Sequence, residues 1–292
     1  MDELIVASRA VHYAALALVL GAPLFRLAIS QGPARGWPGG RRIEVAAALA
    51  ALASGLGWFA GVAATFAGGW RDALAPDILQ AVAFETRFGH LWIGRLIALV
   101  ALLAIQAWTR PSWRRDGALV ALGAGVTASL IGVGHGMTGA GGGPAVARLH
   151  MVADVVHLIC AMGWVGGLFC LVQVLRRAAD ASELAAVLSR FSRLGYWLVA
   201  LLLISGCVNA LVLVPRPDSL VTSDYGRVLL VKFGLVLIMV GFALYNRLAL
   251  VTAAVTTKAG AHALWRSAMA EQGVGLLVLA TVALLGTIHP VP

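Results

Sequence analysis

Charge is scarce in this 292-residue chain: 12% of its residues are Asp, Glu, Lys or Arg, against roughly 25% in a soluble domain. With 60% hydrophobic residues, too little polar surface remains to cover a water-soluble globule. Cysteine is scarce as well. Cys160, Cys170 and Cys207 are the only three, none in a CxxC pair, which argues against a disulfide framework. There is no hydrolase triad, no HExxH zinc helix and no nucleotide-binding motif. The glycine run at 139–143 has no Lys-Ser/Thr after it and no strand before it, so it reads as a flexible outer loop, not a phosphate cradle. These absences point away from an enzyme.

What is present is long apolar segments. A span of the hydrocarbon core needs about 20 mostly apolar residues. Eight segments qualify: Leu4–Ser30, Ile43–Gly68, Leu91–Trp108, Gly117–Gly134, Ala145–Leu175, Arg193–Val214, Val228–Val251 and Leu264–Ile288. The expected fold is therefore all-α, a polytopic membrane protein of about eight helices with no separate soluble domain. Asp2 and Glu3 stand where a cleavable signal has basic residues, so the first segment reads as a retained helix. The net charge of +9 is distributed by loop: 14 of the 22 Lys and Arg fall on one side of the predicted bundle and eight on the other. That asymmetry is a topology signal, not a nucleic-acid footprint. By the positive-inside rule, the richer side is cytoplasmic and both termini are periplasmic.

The two halves carry matching features in the same order. Val11-His12 with Gly21 matches Val156-His157 with Gly166, and Ser54-Gly55 matches Ser205-Gly206. Gly89 with Arg95 matches Gly226 with Lys232, and Gly132-x-x-His135 matches Gly286-x-x-His289. The expected organisation is a tandem repeat of two four-helix units, about 1–143 and 144–292. An even number of helices per unit gives both the same orientation, related by an axis along the membrane normal.

Six of the seven histidines, all but His262, fall on the predicted outer side. Ionisable groups in a bilayer are costly and usually mark a site or pathway. His135, Met137 and His150 lie near the outer mouth, and His12 and His157 deeper. Asp154 is four residues after His150 and three before His157, spacings that share a helix face. It can orient His157 or act as a ligand beside His150. Imidazole and thioether donors suit copper, and thioether favours Cu(I). The candidate metal set is His12, His135, Met137, His150, Asp154 and His157. Arg95 and Lys232 are expected to snorkel outward, to pair with Asp154 or Glu85, or to hold an anionic group. Glu271 is expected to find a basic partner or to mark an exit path, and Cys160 to act as packing or as an additional soft donor.

The stretch LHMVADVVHLICAMGWVGGL (149–168) resembles the signature of the copper resistance protein D family of bacterial inner-membrane proteins. RFSRLGYWLVALLLISGCVNA (190–210), DYGRVLLVK (224–232), Asn246-Arg247 and TRFGHLWIGR (86–95) fit the same pattern. His90 departs from it, standing where the family more often has Arg. The resemblance covers most of the chain. It implies copper transport across the inner membrane, beside a small periplasmic partner of the copper resistance protein C type. It marks His135, His150, Asp154, His157 and Trp164. A rival reading remains open on the residues alone: a membrane haem b protein carrying electrons, with His12 and His157 as axial ligands and Arg95 and Lys232 on the propionates. A non-transporting copper chaperone is a third.

Overall fold

The computed structural model describes residues 2–29, 40–132, 143–177, 181–214 and 218–288. His135, Met137 and His289 lie outside the described residues. Those described are almost wholly helical, without a strand among them. In chain order the helices are α1 (Asp2–Ile29), α2 (Gly40–Phe66), α3 (Pro76–Glu85), α4 (Arg87–Trp108) and α5 (Trp113–Ala128). They continue with α6 (Gly143–Arg177), α7 (Ala181–Leu213), α8 (Ser219–Thr222), α9 (Asp224–Tyr245), α10 (Val251–Thr256) and α11 (Lys258–Leu285). A π-turn, Asn246–Leu250, joins α9 to α10.

Among the described residues seven helices are long and apolar enough to cross a membrane. The expected span Gly117–Gly134 appears as α5, only 16 residues long, continued by the 3₁₀ turn Ser129–Gly132. Arg9 Nη1 donates to Gly286 O at 2.7 Å, so the first helix begins where the last one ends. α5 with its 3₁₀ extension stands where the remaining span was expected. The short α3 was not expected, and α7 begins well before the expected Arg193. At 1.5 Å per residue, the 35 residues of α6 are longer than the hydrocarbon core is thick.

Ser and Thr set the helix starts. Thr86 Oγ1 accepts from Gly89 N at 2.9 Å, Ser223 Oγ from Gly226 N at 2.9 Å, and Thr257 Oγ1 from Gly260 N at 3.0 Å. Each satisfies an orphan amide of a first turn. The glycine three residues after each cap has a second reason. A Cβ on Gly89, Gly226 or Gly260 would run into a carbonyl of the preceding helix, Val82, Ser219 or Ala253 respectively. These are tight helix–helix corners, and they explain why Gly89 and Gly226 recur.

The central helices are α1 and α6, the most buried of the spans. They cross at Gly21 and Gly166. A Cβ on Gly21 would lie 2.5 Å from Gly166 Cα, and one on Gly166 would strike Ala17 O. Only glycine on both sides lets the backbones touch, the small-residue device of membrane helices. Against α1 pack α2 and α5, with α4 beyond α2; against α6 pack α7 and α11, with α9 on α11. The apolar side chains facing outward, such as Leu211, Leu237 and Leu248, suit a lipid surround. Trp108 and Trp113 are exposed at helix ends, while Trp58, Trp92 and Trp164 belong to the core.

Candidate metal-binding site

His12 on α1 is fully buried, at 0% exposure. Its Nδ1 lies 2.9 Å from Ala51 O and 3.2 Å from Ser54 Oγ. Arg95 Nη2 lies 2.8 Å from its Nε2. Arginine can only donate, so Nε2 must be the acceptor and Nδ1 carries the proton, donating to Ala51 O. The Arg95 guanidinium also donates to Ser129 Oγ at 3.0 Å and stacks 4.7 Å from the Trp92 ring centroid. Trp58 closes the other side, edge-on at 6.0 Å. Two expectations change here. Arg95 neither snorkels nor pairs with Asp154 or Glu85; it is spent on the His12 imidazole. His12, in this arrangement, has no lone pair left for a metal.

The same backing recurs around His157 on α6. Its Nδ1 lies 3.1 Å from Leu202 O and 3.3 Å from Ser205 Oγ. Ser205 Oγ donates to Leu201 O at 2.6 Å, as Ser54 Oγ does to Ala50 O at 2.6 Å. The glycine after each serine makes room for the ring: a Cβ on Gly206 would come 3.2 Å from His157 Cε1, and one on Gly55 3.5 Å from His12 Cε1. The Ser-Gly dipeptides are thus imidazole seats.

The two sites differ at the other nitrogen. His157 is half-buried, and its Nε2 has no hydrogen-bond partner among the described residues. Lys232 occupies the place in chain order that Arg95 holds in the first half. It acts electrostatically on both His157 and Asp154, but no nitrogen of it lies within 4 Å of a carboxylate among the described residues.

One and two turns toward the N-terminal end of α6 lie Asp154 and His150. Asn209 Nδ2, on α7, donates to Asp154 Oδ1 at 3.0 Å. His150 is 4% exposed, and its Nε2 is buried without a partner. So is Asn209 Oδ1. Buried polar atoms are normally satisfied, and here two unpartnered ones flank one carboxylate. His150, Asp154 and His157 supply two imidazoles and a carboxylate, a donor set that fits copper better than an alkali or alkaline-earth ion. Among the described residues no group of three His, Cys, Asp or Glu is placed to hold one metal ion.

His90 Nε2 bonds Phe84 O at 2.8 Å on the exposed surface. All three cysteines are free, and Cys160 packs in the core. Among the described residues Glu271 has no basic partner within 4 Å; it accepts from Asn246 Nδ2 at 2.9 Å and from the Trp164 side chain.

Sequence reading missed a second polar centre, far from the histidines. Arg26 on α1 is buried and ion-paired with both Glu44 on α2 and Asp116 on α5, the latter at 2.8 Å. Arg115 adds a bond of 3.1 Å to Asp116 and lies 3.8 Å from Glu44. The cluster balances two arginines against two carboxylates. Arg26 and Arg115 had been expected among the loop charges. The available signal was Glu44 and Asp116, two acids at span ends set beside Arg41, Arg42, Arg114 and Arg115.

A family model described as copper resistance protein D-like, N-terminal domain, matches residues 1–144. One described as copper resistance protein D matches residues 185–285. The chain is 32% identical to inner membrane protein YebZ of Escherichia coli (strain K12) over 292 residues, covering 98% of each. It is 32% identical to copper resistance protein D of Pseudomonas syringae pv. tomato over 234 residues, 76% of this chain and 74% of the relative. It is 29% identical to copper transport protein CutJ of Bacillus subtilis (strain 168), covering 98% of this chain but 53% of that longer relative. No solved structure matches.

Proposed function

Because the chain belongs to the copper resistance protein D family, we propose that it carries copper across the bacterial inner membrane through its second half. The observation that supports this most is the pair of buried, unpartnered atoms, His150 Nε2 and Asn209 Oδ1, beside Asp154 and one helix turn from an open His157 nitrogen. Copper is cargo here, as Cu(I) or Cu(II), and the sites hold it in passing. His135 and Met137 form the mouth with His150. Asp154 and His157 take the ion deeper, and ligand exchange along the α6 face moves it inward. Imidazoles bind metal only when neutral, so protons compete with the ion and uptake weakens in acid.

The same reading takes the halves as two four-helix units, about 1–143 and 144–292. The recurring His–Ser–Gly seats and the mutual contact of Gly21 with Gly166 support it. One imidazole has become a fixed pin under Arg95, while its counterpart stays open. His12 therefore leaves the ligand set and serves packing. A small periplasmic copper-binding protein of the copper resistance protein C type is the proposed donor.

The proposed orientation places both termini in the periplasm, from the basic asymmetry of the loops. An alkaline phosphatase fused to the C-terminus is expected to be active and a green fluorescent fusion there dark; the opposite pair of results refutes the orientation.

Metal analysis with an absorption spectrum tests the function. The purified protein is expected to bind copper and show no Soret band, and vesicles containing it to take up copper. A Soret band identifies the haem reading instead. Bound copper without uptake identifies a chaperone.

A further inference from the structure

The cytoplasm-directed half of the second unit, in the proposed orientation, contains a cavity of about 140 Å³ between α6, α7, α9 and α11. At about 30 Å³ per water, it has room for several. Its walls are apolar and aromatic, with Trp164 and Phe191 among them. Tyr196 and Leu244 line it and are exposed, so it reaches the surface. One carboxylate lines it: Glu271, 3% exposed.

The polar groups around Glu271 do not neutralise it. Asn246 Nδ2 and the Trp164 side chain are neutral donors. Arg247, from the π-turn, is the sole cation lining the cavity among the described residues, and its guanidinium sits 4.5 Å from the Tyr196 ring centroid, not in an ion pair with Glu271. From α7 come the Tyr196 phenol and Ser192. Residues of α10 carry no charge, and the α1 residues that share a core cluster with Leu264 and Ala268 of α11, including Ala22 and Phe25, are apolar. Across α6, the Arg26 cluster is already paired within itself.

An ionised carboxylate buried among neutral groups is expensive, so it binds a proton or waits for a cation. Asn246 is the second sign. It is buried, it lines the cavity, and its Oδ1 has no partner. A carboxyl O–H or a water brought by the cavity would satisfy it. Asn246 also opens the π-turn Asn246–Leu250, a distortion that recurs at functional sites. Both oxygen donors are hard, a poor match for Cu(I) and a good one for a proton.

Trp164 links this group to the histidine face. It lies seven residues after His157, on the same stripe of α6 as His150 and Asp154, and it hydrogen-bonds to Glu271. We propose that Glu271 exchanges a proton through this cavity, and that its protonation is coupled to movement of copper along the α6 face. The coupling rests on the copper reading above; the proton exchange does not.

The first test therefore involves no copper. Dicyclohexylcarbodiimide modifies protonated carboxyls in apolar surroundings. In the purified full chain it is expected to label Glu271, less so as pH rises, as read by peptide mass. Glu271→Gln, which can still accept from Asn246 and Trp164, is expected to remove that label and keep wild-type copper content. The second test uses vesicles with an imposed pH gradient. If one proton exchanges per Cu(I), one pH unit supports about tenfold accumulation of copper, and Glu271→Gln abolishes that response while Glu271→Asp retains part of it. Absence of label at Glu271 in acid, or a Glu271→Gln protein that follows the gradient like wild type, overturns the proposal. Wild-type vesicles that move no copper refute the transport reading and the coupling with it, while the labelling still decides whether Glu271 exchanges its proton.

Discussion

His157→Ala is expected to reduce copper bound by the purified protein at least about 10–100-fold, the loss found when even an outer-shell partner of a metal ligand is removed. The imidazole is held by Leu202 O and Ser205 Oγ on one nitrogen and free on the other. Its orientation is therefore fixed before any ion arrives. His150→Ala is expected to act in the same direction, because its buried Nε2 has no other partner. His12→Ala is expected to behave differently: copper binding persists, and stability falls. Its removal leaves the buried Arg95 Nη2 without an acceptor, a cost of about 1–3 kcal/mol or more for a charged group. His90→Ala should change neither quantity. Metal content and thermal unfolding in detergent separate the four variants. Wild-type copper in both His157→Ala and His150→Ala would sink the proposed ligand set.

The second large effect lies at the other polar centre. Arg26→Met is expected to destabilise the folded protein by about 3–5 kcal/mol, the usual cost of stripping one partner from a buried ion pair. Glu44 and Asp116 would then share Arg115 alone. Adding Glu44→Gln should recover much of the loss, since the remaining Arg115–Asp116 pair is balanced. Copper bound by protein that does fold should be unchanged, because the cluster sits on α1, α2 and α5, away from the α6 face. Equal stability of wild type and Arg26→Met would show that the cluster is no tie between those helices.

The helices were legible because the bilayer imposes them: a long apolar run has few alternatives where every amide must be satisfied internally. The α5 segment shows the limit. Its apolar run is interrupted by a 3₁₀ turn that length and hydropathy do not reveal. Helix α3 is ten residues long, too short to register as a span. In the site, α6 could be read directly, since His150, Asp154 and His157 share one helix and periodicity places them. Partners from other helices could not. Asn209 is 55 residues from Asp154 and Arg95 is 83 from His12, and nothing local in sequence announces either pairing. The Arg95 contact to His12 was not foreseen for that reason. The match of His12 to His157 is real at Nδ1, and the difference lies wholly in what meets Nε2.

The contact of Gly21 with Gly166 has a consequence for heredity. Any single-nucleotide change in a glycine codon that alters the residue introduces a Cβ. At most protein interfaces a larger residue on one side can be answered by a smaller one opposite. Here the obstacle to a side chain on Gly166 is the main chain at Ala17 O, and the residue facing it is already glycine. No second substitution can create the missing space. The two codons are therefore locked: neither can drift and be rescued by the other, and a lineage that loses either must move the two helices apart.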